Sequence, residues 1–346
     1  MPLISCSSPI IASPAAPADI AELLAWTPFN LRNGTAGLEI DWCHLGEARF
    51  TEPFFDQTII RRRTLRQQRT SSATVLDQLQ TMQPGVRPTG FIFHASRCGS
   101  TLVARMLGSL PCNLVLSEPA VLNTAITATR PHSGVHADLT IGEHAQLVRN
   151  LISAMAQPRH GDERHCFIKF AATAIRDLPV IQHAFPDIPW VYIYREPLEI
   201  MASYLRFGGS TLPPGVANAD LVEGNPSELA ALSAAEFWAR VVDANFAAAL
   251  HHHQPDRSLL LNYSQLPEAT VEHLPAFFGI TFSEDELQSM REGASQNSKH
   301  PEQRFTSDSE HKRQAMSEEV RALVEELVMP HHQQLEVLRT ASEKGS

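Results

Sequence analysis

Five short apolar runs, separated by longer stretches of helical periodicity, constrain the fold of this chain more than any other feature. They are rich in β-branched and aromatic residues and lie at 90–94, 113–118, 166–171, 190–196 and 258–263. Between them apolar side chains recur at helical spacing, as in TLVARMLGSL and LEIMASYLRF. Buried strands that alternate with amphipathic helices predict an α/β domain, in which helices cover both faces of a parallel sheet. We place this domain at residues 86–340.

The segments that precede this domain differ from it in composition. Residues 1–18 are rich in Ala and Pro, and no Lys or Arg precedes their apolar residues, so we expect a disordered leader rather than a secretory signal. Residues 19–85 show no fold of their own and are expected to be an N-terminal extension that packs on the domain. The last third of the chain is predicted to be mostly helical.

Charge and cysteine content exclude several classes of function. The net charge is −10, so we expect no non-specific binding to nucleic acid or to an anionic membrane. The chain has no apolar run of about 18 residues, the length that a membrane-spanning helix needs. The five cysteines are scattered without a CxxC pair, which argues against a disulfide framework and a zinc site. A reducing cytoplasm is therefore the expected location.

The turn after the first strand is suited to binding an anion. In FIFHASRCGSTLVARML, the small residues Ser96, Gly99 and Ser100 allow backbone N–H groups to converge, and the helix that begins near Thr101 adds its positive end. The phosphate loop of nucleotide triphosphatases reads GxxxxGK(S/T), whereas here the cation, Arg97, precedes the glycine. Because no later strand ends in an evident magnesium-binding Asp, we expect no metal. An ordinary tight turn is the structural alternative.

A second strand–turn–helix unit carries another arginine. WVYIYREPLEIMASYL places Arg195 at the end of a strand and Ser203 on the following helix. Ligands of such sheets bind at the carboxyl ends of the strands, so Arg97 and Arg195 are expected at one edge. Guanidinium groups and serine hydroxyls are suited to a phosphate. The alternative for Arg195 is a surface ion pair with Glu196 or Glu199.

The two segments resemble the nucleotide-binding motifs of sulfotransferases that use 3′-phosphoadenosine 5′-phosphosulfate (PAPS). SRCGSTL is similar to their 5′-phosphosulfate loop, and YREPLEIMASYL to their 3′-phosphate segment, in which an Arg precedes a Ser by eight residues. Because it carries an Arg, the first loop is most similar to that of the tyrosylprotein and carbohydrate sulfotransferases. The resemblance spans about residues 88–282. It implies a P-loop-type α/β fold and metal-independent sulfuryl transfer from PAPS to a hydroxyl or amine of a small molecule, glycan or peptide.

The resemblance also implies roles for individual residues. Among the catalytic residues, Arg97 would stabilise charge on the leaving 5′-phosphate. Lys169 stands where the resembling enzymes have a strand-end lysine near the leaving group, and Glu118, at the end of the second strand, would be the base. The implied nucleotide-binding set comprises Arg97, Cys98, Gly99, Ser100, Thr101, Leu102, Arg195, Ser203, Tyr263 and Lys299.

Several of these residues also have a structural interpretation. The structural alternative for Lys169 is a side chain that snorkels to the surface. For Glu118 it is a residue that caps a helix or forms an ion pair. Tyr263 is equally typical of a core tyrosine, and Lys299 lies in a polar stretch typical of a solvated segment. No histidine matches the base of the cytosolic sulfotransferases. His94, within the first strand, is interpreted as a packed or hydrogen-bonded side chain.

Three further features are interpreted structurally. The histidines at 251–253 end a helix without sharing one face, so no metal site is expected there. Cys98 lies at a helix N-terminus but has no histidine partner, and is interpreted as a small loop residue. A basic cluster is expected to be solvated or ion-paired, with recognition of an acidic acceptor as the functional alternative; it comprises Arg61, Arg62, Arg63, Arg66 and Arg69.

The acceptor and the oligomeric state are not readable from the sequence. The segments expected to face the acceptor are residues 19–85 and the Gly/Pro-rich loop 208–227. Two alternatives to a sulfotransferase remain at this point. One is an atypical P-loop kinase or nucleotide hydrolase, and the other is a non-catalytic nucleotide-binding protein.

Overall fold

The N-terminal part of the chain forms a three-stranded antiparallel sheet. The structure, a computed structural model, describes residues 20–63, 68–130, 134–206, 221–222, 225–295 and 316–345. After a 3-10 helix (Ile20–Ala25), the chain forms β1 (Trp26–Gly34), β2 (Gly37–His44), α1 (Phe55–Arg63), β3 (Gln68–Ser72) and α2 (Thr74–Met82). The strands lie in the order β1–β2–β3. Side chains of this sheet, such as Ile40 and Trp42, share one apolar core with the central sheet described next.

Five parallel strands form the centre of the molecule. They are β4 (Pro88–His94), β5 (Asn113–Ser117), β6 (His165–Lys169), β7 (Trp190–Tyr194) and β8 (Ser258–Asn262), and each bound lies within two residues of the predicted run. Their order is β5–β6–β4–β7–β8. The parallel sheet predicted from the sequence is therefore confirmed.

Helices cover both faces of this sheet, as predicted. They are α3 (Ser100–Gly108), α4 (Ala120–Ile126), α5 (Ile141–Met155), α6 (Leu178–Ala184), α7 (Pro197–Arg206), α8 (Pro226–Ala231), α9 (Ala234–His252), α10 (Glu268–Glu272), α11 (Leu274–Phe277), α12 (Glu284–Ser295), α13 (Glu318–Leu327) and α14 (Met329–Gly345). Along β4, Phe91 and Phe93 point into one apolar core and Ile92 into the other. Side chains of α3 and α12 fill one core, and those of α5, α7, α9 and α14 fill the other.

One predicted helix is divided in two. Apolar side chains recur at helical spacing throughout residues 227–250, but α8 ends at Ala231 and α9 begins at Ala234. The Ser233 hydroxyl accepts the backbone N–H of Glu236 and so caps the second helix. A serine inside an apolar-periodic run thus begins a new helix.

The strand order reverses between β4 and β7. From β4 the chain moves to β5 and β6 on one side, and then to β7 and β8 on the other. The helices that follow β4 and β7, α3 and α7, consequently pack on opposite faces of the sheet. A crevice forms at the carboxyl ends of two such strands, which is where open α/β sheets bind their ligands.

Several features of the sequence lie outside the described residues. They are the leader 1–18, most of the loop 208–227, Arg66 and Lys299.

Among the described residues, no helix combines the length and the apolar character needed to cross a membrane.

Candidate active site

The carboxyl edge of the central sheet brings together residues from five strands. Arg97 follows β4 and Arg195 follows β7, so the two arginines lie at one edge, as the sequence suggested. Glu118 follows β5, Lys169 ends β6 and Tyr263 follows β8. The five side chains are thus contributed by adjacent strands, and two pairs of them are in contact: Lys169 with Glu118, and Arg195 with Tyr263.

The turn between β4 and α3 has an unusual backbone. Ser96, Arg97 and Gly99 have φ values of 61°, 54° and 86°, all in the left-handed region. A Cβ atom at Gly99 would lie 2.8 Å from the Tyr263 ring, so only glycine fits this position. Left-handed residues ahead of a helix orient backbone N–H groups into a concave anion-binding turn. The described non-glycine residues with positive φ are Ser96, Arg97 and Glu118, which all lie in this site.

A direct hydrogen bond joins the two segments that the sequence singled out. Arg97 Nε donates to Ser203 Oγ at 2.7 Å, across 106 residues of chain. Beside this bond, the Tyr204 hydroxyl hydrogen-bonds to the Ser96 side chain. The anion-binding turn and helix α7 are therefore held in contact.

Arg195 forms a buried ion pair rather than the surface pair that was the alternative. Its Nε donates to the carboxylate of Glu199, one turn along α7, and the two residues are only 5% and 3% exposed. The guanidinium carbon lies 3.9 Å from the centroid of the Tyr263 ring. Since the same ring lies against Gly99, Tyr263 spans the distance between the two arginine-bearing turns.

Lys169 is buried and paired, so the interpretation that it snorkels to the surface is wrong. Its side chain is 0% exposed, and its ammonium group donates to Glu118 Oε1 and, at 3.4 Å, to Ser117 Oγ. The ring of Phe54, from the N-terminal part, lies 5.1 Å from the ammonium nitrogen. Glu118, the ion-pair partner, keeps 26% of its side chain exposed.

His94 is a member of the site that the sequence did not reveal. Its hydrogen bonds, 3.0 Å from Ser96 N to Nδ1 and 3.1 Å from Nε2 to Phe170 O, confirm the structural interpretation. However, Nε2 also lies 3.3 Å from Glu118 Oε1. The signal that could have identified His94 as a site residue is its place at the carboxyl end of β4, next to the strand that ends in Lys169.

The pKa values of the Glu118 carboxylate and the His94 imidazole both lie below their ordinary values. Burial tends to raise the pKa of Glu118, but the hydrogen bond from His94 and the charge and hydrogen bond of Lys169 outweigh it and lower that pKa to about 2. Burial lowers the pKa of His94 below its ordinary value. Near pH 7 Glu118 is therefore ionised and His94 is neutral.

The remaining residues of the predicted nucleotide-binding set surround the start of α3. Cys98 Sγ donates to Ile193 O at 3.0 Å, and burial raises the pKa of this thiol to about 11, as suits a small loop residue rather than a nucleophile. Ser100 and Leu102 are buried, whereas Thr101 is half-buried. Their backbone forms the first turn of the helix that the anion-binding turn opens.

Two arginines of the basic cluster and the histidine that follows α9 form structural contacts. Arg61 pairs with Glu52, and Arg69 pairs with Glu22 at 2.8 Å, as the ion-paired interpretation expects. His253 Nδ1 lies 2.7 Å from Ser258 Oγ. Across the described ranges, no group of three or more His, Cys, Asp or Glu side chains is placed to hold a metal ion.

The arrangement can bind a phosphate or sulfate group and present a carboxylate beside it. Backbone amides and Arg97 supply hydrogen-bond donors at the turn. Arg195 supplies a second cation, with the hydroxyl group of Ser203 on the following helix. Lys169 adds a buried positive charge. Glu118, ionised and 26% exposed, lies at the opposite end of the edge from Tyr263.

Comparison with known proteins points to one family. A family model described as "Sulfotransferase family" matches residues 88–284, more than half of the chain. A sequence comparison with curated proteins gives no match.

Solved structures with a related fold include several sulfotransferases. One from Mycobacterium avium is 11% identical and covers 73% of this chain and 79% of its own, with a TM-score of 0.45. One from Alicyclobacillus acidocaldarius is 15% identical, covers 73% and 96%, and has a TM-score of 0.43. A mouse sulfotransferase in complex with PAP is 12% identical, covers 78% and 92%, and has a TM-score of 0.41.

Proposed function

Since this chain belongs to the sulfotransferase family, we propose that it transfers the sulfuryl group of PAPS to a hydroxyl, or to an amine, of an acceptor. The products would be 3′-phosphoadenosine 5′-phosphate (PAP) and a sulfated acceptor. The observation that carries the proposal is the contact between the two anion-binding elements. Arg97 bonds to Ser203, and Tyr263 touches both Gly99 and Arg195. A nucleoside with a phosphate at each end suits two such elements in contact.

The two arginines are assigned to different phosphates. Arg97, with the backbone of residues 98–101, would hold the 5′-phosphate, where the left-handed turn gathers N–H donors. Arg195 and Ser203 would hold the 3′-phosphate. Glu199 holds Nε of Arg195, which fixes the plane of the guanidinium group against Tyr263. Such fixed guanidinium groups bind phosphates in a bidentate manner.

The transfer itself requires mainly positioning and charge. The acceptor oxygen forms a bond to sulfur while the bond from sulfur to the 5′-phosphate oxygen breaks, and Arg97 and Lys169 stabilise the charge that develops on that oxygen. Glu118, ionised near pH 7, takes the acceptor's proton. A weakly basic carboxylate suffices, because the hydroxyl becomes strongly acidic as its oxygen bonds to sulfur.

The N-terminal part, residues 19–85, is proposed to line the acceptor side. Phe54 is half-buried and lies over Lys169, and Asp56 Oδ2 accepts the N–H of Ala120, two residues after Glu118. Burial, together with the charge of Glu118, raises the pKa of Asp56. The approach to Glu118 is thus bordered by a segment that lies before the residues matched by the family model.

We also propose a cytoplasmic location and a reaction that needs no metal. Cys43, Cys98, Cys112 and Cys166 are buried thiols, as suits a reducing compartment. The sulfuryl group carries less charge than a phosphoryl group, and the cations of Arg97 and Lys169 would balance it.

The function is tested by incubating the protein with radiolabelled PAPS and a small-molecule and protein extract of its host cell. We expect label to appear in an acceptor, with PAP formed in equal amount and with no loss of rate in EDTA. Turnover of ATP with magnesium, without sulfuryl transfer, would instead support a kinase or hydrolase.

Removing Arg195 should weaken nucleotide binding. Loss of a charged hydrogen-bonding partner is expected to cost about 1.5–3 kcal/mol, or roughly 10- to 150-fold in the Kd of PAP. Because Arg195→Ala leaves the buried Glu199 without its cation, the variant Arg195→Met with Glu199→Gln is measured beside it. Calorimetric titration with PAP gives the Kd values.

The control for Arg195 is Arg87→Ala. Arg87 pairs with Asp187 at 2.6 Å at the amino-terminal edge of the sheet, far from the proposed phosphates. The Arg87→Ala variant should bind PAP with the affinity of wild type. If the Arg195 variants also bound PAP with wild-type affinity, Arg195 would not belong to the nucleotide site.

Truncating Phe54 should affect the acceptor and not the nucleotide. For Phe54→Ala we expect the acceptor KM to rise about tenfold, on the scale of one lost aromatic contact, while the Kd of PAP stays unchanged. Phe54→Leu, which keeps an apolar side chain beside Lys169, should show a smaller rise. The measurement is initial rate against extract concentration at saturating PAPS. A change in PAP affinity alone would place Phe54 on the nucleotide side.

A further inference from the structure

His94 contacts both functional parts of the site. It is the last residue of β4 and is 4% exposed. On one side its Nδ1 accepts the backbone N–H of Ser96, the first residue of the left-handed turn, at 3.0 Å. On the other side its Nε2 lies 3.3 Å from Oε1 of Glu118 and 3.1 Å from Phe170 O.

The tautomer of His94 follows from these partners. Because Nδ1 accepts a hydrogen bond from a backbone N–H, the proton of the neutral ring must be on Nε2. Both partners of Nε2 are oxygen acceptors, a carboxylate and a carbonyl, and so agree with this assignment. The ring therefore accepts from the turn, and its Nε2–H is shared between Phe170 O and Glu118 Oε1.

Both residues that His94 holds have unfavourable backbones. Ser96 and Glu118 have φ values of 61° and 51°, a region that non-glycine residues seldom adopt. The bond to Nδ1 stabilises Ser96 in this conformation. Glu118 is held through its backbone by Lys169 O, at 2.7 Å, and through its side chain by Lys169 and His94.

The contacts to Glu118 also distinguish its two oxygens. Lys169 and His94 both reach Oε1, and among the described residues no hydrogen bond to Oε2 is seen. The charged or titratable groups that face this carboxylate are His94 from β4, Lys169 from β6, Asp56 from α1 and Tyr204 from α7. Oε1 is therefore the carboxylate oxygen that the protein holds.

We propose that His94 is a positioning residue, whose single ring sets both the anion-binding turn and the orientation of the Glu118 carboxylate. Its Nδ1 shapes the turn for the 5′-phosphate, and its Nε2–H fixes Oε1 so that Oε2 receives the acceptor's proton. The inference rests on the proposed function. It adds a residue that couples nucleotide binding to the geometry of the base.

Two near-isosteric variants separate the two bonds. In His94→Asn the amide oxygen can take the place of Nδ1 and accept from Ser96, but the side chain is too short to reach Glu118. In His94→Gln the amide N–H can take the place of Nε2 and donate to Glu118, while the acceptor for Ser96 is lost. A purely structural role would make both variants lose the same properties.

We expect opposite results from the two variants. His94→Asn should keep the Kd of PAP within about twofold and lower the rate at saturating PAPS by about fivefold or more, the scale of one hydrogen bond. His94→Gln should raise the Kd of PAP by about fivefold or more and keep the rate at saturating PAPS within about twofold. PAP titration and transfer from radiolabelled PAPS give the two quantities.

The control is His144→Gln. His144 is also buried, and its Nε2 lies 2.7 Å from the backbone oxygen of Ala125, away from the site, so neither quantity should change. Parallel loss of PAP affinity and rate in both His94 variants, or no change in either, would overturn the inference. Wild-type transfer is measured first, so a failure of the proposed function appears there and is not confused with a failure of this inference.

Discussion

Replacing Glu118 by Gln is expected to lower kcat by about two to four orders of magnitude, the usual contribution of a general base. The amide oxygen can still accept from Lys169 and His94, so the fold should be retained. Because the carboxylate is assigned to the acceptor and not to a phosphate, the Kd of PAP should stay near that of wild type. Single-turnover transfer from radiolabelled PAPS and PAP calorimetry measure the two effects.

Glu163→Gln is the matched control for this substitution. Glu163 accepts backbone N–H groups in the loop before β6, at the opposite edge of the sheet. That variant should keep its full rate. A Glu118→Gln protein with wild-type turnover would show either that the base lies elsewhere or that no base is needed.

The Glu118→Gln variant should also change the pH dependence of stability. The pKa of Glu118 is lowered from 4.5 to about 2 in the folded protein, so its ionisation favours folding at pH values above 4.5. This contribution is lost as the pH falls from 4.5 toward 2. The difference in unfolding free energy between wild type and Glu118→Gln should therefore shrink over that interval, as measured by denaturant unfolding.

Replacing Lys169 by Met is expected to lower kcat by about 10²- to 10³-fold, the scale seen when one preorganised electrostatic donor is removed. The buried ammonium group is the cation that we assign beside the leaving oxygen, and Met fills a similar volume without charge. The variant also leaves Glu118 without its ion-pair partner, so it should be less stable than wild type. Transfer rates and thermal melts measure the two losses.

The double variant Lys169→Met with Glu118→Gln separates catalysis from folding. It removes both charges, so it should regain much of the stability that Lys169→Met loses. Turnover should stay low, because both assigned functions are missing. If turnover returned together with stability, the loss in Lys169→Met would be structural and Lys169 would have no role in the chemistry.

The central sheet was predictable because its strands are buried on both faces. Such strands appear as continuous apolar runs, and the two strand–turn–helix units that carry Arg97 and Arg195 could be assigned to one edge, but the order of the strands comes from the fold alone. The N-terminal sheet was not predictable. β1 contains Pro28 and β3 is the wholly polar run Gln68–Ser72, so neither shows the apolar alternation that marks a strand.

In the candidate site, the sequence identified side chains but not their partners. Arg97 and Ser203 were assigned to different phosphates, and only the fold shows that they are hydrogen-bonded. A lysine at a strand end is compatible with either burial or exposure, and burial of Lys169 depends on Glu118 and Phe54, which lie far away in the chain. His94 was missed because its link to Glu118 depends on the order of the strands.

Sulfuryl transfer from PAPS requires that the two arginine-bearing turns bind one nucleoside that carries phosphates at both ends. The direct measurement is calorimetric titration of wild-type protein with PAP, ADP and ATP–Mg²⁺ under identical conditions. ADP lacks the 3′-phosphate assigned to Arg195 and Ser203, so PAP should bind about tenfold or more tightly than ADP, the scale of a charged hydrogen bond. If ATP–Mg²⁺ bound more tightly than PAP, or if PAP and ADP bound equally, the two turns would not form a site for PAPS.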